Sequence, residues 1–171
     1  MTACPDRVIP MPQVAAMAAP EPENTLAPEA RQAAYLGARA QAIGWCSILA
    51  GALSGMLMGL WSFDGPFPVP GWIGGYDELP RRFLRLAHIA MFALGMLHVM
   101  VGKWLATSRM PHRFKRSGYA TMALGNFLMP ATLIGAAIWA PLKYATAVPT
   151  LALTIAFAIV AQDAVRAMRR V

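Results

Sequence analysis

Charge in this chain is confined to the gaps between four apolar windows. No charged residue falls between Arg39 and Asp64, between Arg85 and Lys103, between Arg116 and Lys143, or between Lys143 and Asp163. A helix rising 1.5 Å per residue crosses the ~30 Å hydrocarbon core of a bilayer in about twenty residues. The windows therefore predict transmembrane helices over about 42–61, 83–105, 119–140 and 149–168, with a helical lead-in to the first from about Pro28. Apolar and polar residues do not alternate with a period of two, which removes the closed barrel, the other structure that satisfies its backbone in lipid. The fold class expected is all-α integral membrane, with four transmembrane helices. Pro130 falls inside the third window, where it would interrupt the helix.

The segments outside the windows differ from one another. Residues 1–30 carry Pro5, Pro10, Pro12, Pro20, Pro22 and Pro28 among alanines and form an extended tail in this reading. That tail has no basic start followed by an unbroken apolar run, so it does not read as a secretory signal. Residues 31–171 make up the four-helix membrane domain. The connector SFDGPFPVPGWIGGYDELPRR, between helices one and two, is too long for a tight turn and too apolar for a solvated loop. Its prolines and glycines favour an ordered, extended and turning path. Phe63, Phe67, Trp72 and Tyr76 are the residues expected to dock a partner from it.

Composition agrees with the pattern. Hydrophobic residues make up 57% of the chain and charged residues only 13%, about half the share of a soluble domain. The net charge of +7 comes largely from Arg109, Arg113, Lys115 and Arg116 in one connector and Arg166, Arg169 and Arg170 at the end. Such clusters orient membrane helices toward the cytoplasm, so both termini are expected inside a bacterial inner membrane. Nucleic acid is not expected as a partner. Arg81, Arg82 and Arg85 stand on the outer side, where Asp77 and Glu78 offset them. The two cysteines, Cys4 and Cys46, cannot build a disulfide scaffold or a thiolate cluster.

Catalytic chemistry finds few parts. There is no HExxH, no pair of carboxylates within the windows, and no serine with a base at motif spacing, so the chain is not expected to be an enzyme. Asp163 is the one acid inside a span, and Arg166 one turn on is its expected partner. Gly51, Gly55 and Gly59 follow one another at four-residue steps. They form a bare stripe for close helix packing, which Gly135 repeats more weakly on the third helix. His88 and His98 lie within the second helix, about 15 Å and 80° apart, too far to share a metal.

The expected function is a non-catalytic accessory or scaffold subunit of a larger inner-membrane assembly, of the respiratory or photosynthetic electron-transfer kind. It would pack on other integral membrane subunits through its small-residue faces and clamp them with connector and tail. No cofactor is required by that reading. The rival reading is a haem- or chlorophyll-type cofactor held by His88, or by His98, as axial ligand. A third is a small transporter, although no inverted repeat or second broken helix is visible.

Overall fold

The computed structural model describes residues 27–62 and 65–169. The tail expectations for residues 1–26, Cys4 among them, and the docking role given to Phe63 lie outside the described residues. Among the described residues all regular structure is helical, and four helices are long and apolar enough to cross a membrane. They are α1 (Pro28–Gly59), α2 (Leu79–Thr107), α3 (His112–Ile138) and α4 (Ala147–Met168), with a 3-10 turn at Ala140–Thr146 between the last two.

Helix ends follow backbone chemistry rather than the apolar boundaries. α1 begins at Pro28, where a missing backbone N–H costs nothing in the first turn, and runs unbroken through the lead-in. α3 starts at His112, inside the basic connector, because charge keeps a segment out of lipid but does not unwind it. It ends at Ile138 rather than Ala140: Trp139 turns to extended backbone, and Ala140 with Pro141 opens the 3-10 turn. Pro130 does not interrupt α3: its ring is buried and the helix continues through it, as packed transmembrane helices allow.

Each helix packs chiefly on the next in chain order, and α1 touches α3 more lightly. The fully buried residues on the α1 side of the α1–α2 contact are all small, while Gln41 and Ile48 lie against the glycines of α2. The buried residues of α1 are Ala33, Gly37, Ala40, Gly44 and Gly51. These steps of four and three give the 3.5-residue period of an antiparallel coiled-coil seam. Gly37 faces Gly102, and Gly44 faces Gly95. A Cβ at Gly37 would come within 2.8 Å of the Gly102 carbonyl, and one at Gly44 within 2.7 Å of the Gly95 carbonyl. Seven-residue steps of glycine on both helices thus let the two backbones meet. The larger side chains of α1, among them Trp45, Leu49, Leu53 and Met56, stand exposed on its other faces.

The four-residue stripe reads differently in three dimensions. Each step of four turns about 40° around a helix. Gly51 and Gly55 both meet α2, but by Gly59 the stripe has turned away, and a Cβ there would meet nothing within 4 Å. Gly135 faces Leu142 of the 3-10 turn rather than another long helix. Gly59→Ala should therefore leave the unfolding midpoint in detergent within about 0.5 kcal/mol of the parent. A larger loss would show that Gly59 has a contact the chain itself does not supply.

The central core lies where α2, α3 and α4 converge. Leu94, Val101 and Leu105 of α2 pack with Met122 of α3 and with Leu153 and Ala156 of α4, and Ala40 joins from α1. Leu153 seats over Gly125 of α3, which has no side chain to obstruct it.

Candidate functional site

Polar side chains that the windows carry into the apolar interior meet at the seam. Ser47 Oγ of α1 lies 3.1 Å from the Met91 carbonyl of α2 and 3.3 Å from Asn126 Oδ1 of α3, its single proton shared between the two, so one hydroxyl ties three helices. One turn on, the Gly51 carbonyl accepts from Ser54 Oγ at 2.8 Å and from His88 Nδ1 at 2.7 Å. The half-buried His88 ring lies over Gly55 and meets Phe92 edge to face at 5.4 Å between centroids. A carbonyl only accepts, so His88 Nδ1 carries a proton, and in the tautomer that this bond selects Nε2 is the acceptor. Nε2 has no hydrogen-bond partner among the described residues and is not sealed in by them.

His98 is placed quite differently. It is 0% exposed, meets Tyr119 of α3 edge to face at 6.5 Å, and has no partner for either ring nitrogen among the described residues. Protein encloses it, whereas His88 is only half-buried. Asn126 Nδ2 is likewise buried without a partner. Among the described residues no three of His, Cys, Asp or Glu come together as metal ligands.

The connector between α1 and α2 is pinned at several points. Phe67 N–H donates to Leu60 O at 3.3 Å, and Ile73 N–H to Pro70 O at 2.9 Å. Gly74 takes a positive φ of 70°, and the Glu78 carboxylate accepts from Gly75 N–H at 3.1 Å. Ile73 is the plug, 2% exposed, while Phe67 at 55%, Trp72 at 57% and Tyr76 at 51% stay open. A cleft of about 530 Å³ lies between Trp61, Phe67, Val69, Tyr76 and Arg81. The arginines at this end have definite places. Arg81 donates to Trp61 O at 2.7 Å, the Arg85 guanidinium covers the Tyr76 ring at 4.0 Å, and Arg82 pairs with Asp77 at 3.7 Å in solvent. Asp77 thus offsets one arginine as expected, while Glu78 turns back to its own loop.

At the opposite end Asp163 departs from its expected pairing with Arg166. Its Oδ2 accepts from Trp104 Nε1 at 2.7 Å and from Ser108 Oγ at 2.6 Å, and Ser108 Oγ in turn accepts from Met110 N–H at 3.1 Å. The acid joins α4 to the end of α2. Reading one helix at a time misses this, because Trp104 lies on α2 and Ser108 just past its end. The Gly37, Gly44, Gly95 and Gly102 seam had a visible signal, the seven-residue repeat, which the denser four-residue stripe obscured.

Four long apolar helices, polar groups turned toward one another across helix contacts, and an aromatic connector at one end define the class: a small helical membrane protein. Beyond that class, no family model matches the sequence, and neither a curated protein nor a solved structure is similar to it.

Proposed function

We propose that the protein is a non-catalytic accessory subunit of a larger assembly in a bacterial inner membrane. Both termini would face the cytoplasm and the α1–α2 connector the outside. The charge pattern supports that orientation: the basic residues Arg109, Arg113 and Arg116 follow α2, whereas the connector's Arg82 is paired with Asp77.

The observation that carries the reading is the pinned connector with its aromatic side chains open. A solvated loop spends entropy when it docks, whereas this one is already ordered by its own hydrogen bonds and by the buried Ile73. Exposed aromatic side chains on a rigid frame are the usual anchors of a protein interface. The partner would be another integral membrane subunit presenting an apolar surface at the bilayer edge. The kind of assembly, one concerned with electron transfer, is proposed from His88 and the site it forms.

Purification from the native membrane in mild detergent, followed by native mass determination, tests this. A stoichiometric hetero-complex is expected, and Phe67→Ala combined with Trp72→Ala should weaken it at least tenfold while the helical signal is unchanged. A stable lone monomer from the native membrane, or a complex indifferent to both substitutions, rejects the proposal.

A further inference from the structure

The chain places one imidazole so that one nitrogen is anchored and the other is left free. His88 Nδ1 donates to the Gly51 carbonyl at 2.7 Å. That bond fixes the tautomer and the ring plane, as the outer-shell partner of a metal-bound histidine does. The nearest hydroxyl, Ser54 Oγ, already donates to the same carbonyl and stands 3.3 Å from Nδ1 rather than beside Nε2.

The imidazole has room against α1 because Gly55 lacks a side chain: a Cβ there would strike the ring at Cε1 and stand 3.0 Å from Nε2 and 3.1 Å from Nδ1. One turn further, a side chain at Gly59 would meet nothing. The helix surface next to the imidazole is therefore flat and bare. His98, enclosed on all sides, offers no such approach.

The donor inventory narrows the ligand. A bare transition-metal ion needs three or four protein ligands, and the described residues nowhere bring three together. A tetrapyrrole brings four nitrogens of its own and asks the protein for a single axial donor. We propose that His88 Nε2 is the one protein ligand of a metallo-tetrapyrrole lying flat against α1 and α2 beside Gly55 and Phe92. Arg85 follows on the same face of α2, one turn toward its start, where on leaving the Tyr76 ring its guanidinium would meet a carboxylate of a haem-type macrocycle; Arg81, a turn further, is already held by the Trp61 carbonyl. An esterified chlorin would use the axial bond alone. The site rests on its own geometry and stands whether or not the accessory reading does.

The full chain, purified without pigment and placed in lipid nanodiscs, is titrated with hemin in one arm and with a zinc chlorin ester in the other. At least one probe should give a saturable, one-to-one shift of its main absorption band beyond that of protein-free discs. His88→Ala should weaken that binding at least tenfold, and external imidazole should restore the band with His88→Gly. Gly55→Leu, whose Cβ alone would strike the imidazole at Cε1 and displace the ring, should weaken it comparably. If His88→Ala loses its helical signal, His88→Gln is read instead, with the same tenfold loss expected. Saturation by hemin alone identifies a haem-type ligand, and saturation by the chlorin identifies a pigment-type one; either supports the site. No saturable shift with either probe overturns it, as does a folded His88 variant that binds within tenfold of the parent.

Discussion

Gly44→Leu should force α1 away from α2 and cost at least about 3 kcal/mol, the upper end for overpacking. The magnitude follows from what the new atoms would strike. Even the first of them, a Cβ, would fall 2.7 Å from the Gly95 carbonyl oxygen and 2.8 Å from the Val99 backbone nitrogen. Neither is the tip of a flexible side chain, so no rotamer change relieves the clash. The helices must part, and parting also breaks the Ser47 bond to Met91 and the His88 bond to Gly51 one and two turns along. Reversible unfolding of the detergent-solubilised chain in rising SDS, followed by circular dichroism, measures the loss. Gly44→Ala should show a smaller loss in the same direction, because its Cβ already intrudes. A leucine at Gly44 that unfolds with the parent midpoint would mean that the seam is not where the two helices meet.

Asp163→Ala should cost about 2 kcal/mol, since hydrogen bonds to a charged acceptor contribute roughly 1.5–3 kcal/mol. One oxygen receives both the Trp104 indole N–H and the Ser108 hydroxyl, so a single truncation leaves two donors without their acceptor. Asp163→Asn, which keeps an acceptor but not the charge, should lose about half as much. Trp104→Phe provides the cross-check. If the indole bond is real, Asp163→Ala and Trp104→Phe together should cost about 1 kcal/mol less than their separate losses combined. Strict additivity would show that Asp163 acts through something else, such as the Arg166 neighbour that the sequence suggested.

These two cases mark where one-dimensional reading stops. The four helices were legible because lipid imposes a local rule: a window without charge for the length of a bilayer must close its own backbone hydrogen bonds, and the next few residues decide it. Pro28 similarly acts on its own neighbours, so the start of α1 follows from the letters. The bare faces of Gly51 and Gly55 were legible as faces. What they meet was not. The GALSG stripe advertised four-residue packing, yet the contact runs at seven-residue steps from Gly37 in the lead-in to Gly51, because its partner glycines on α2 repeat at that interval.

The sequence by itself determined that this chain lives in a membrane as four helices, because hydrophobicity and charge act residue by residue. Only the tertiary structure decided which faces touch. Lipid solvates every apolar face equally well, so composition cannot choose between Gly59 and Gly44; shape does, where two backbones can approach. The same holds for the two histidines. Their letters are identical, but the Gly51 carbonyl anchors one and leaves its Nε2 free, while Tyr119 and the surrounding core enclose the other.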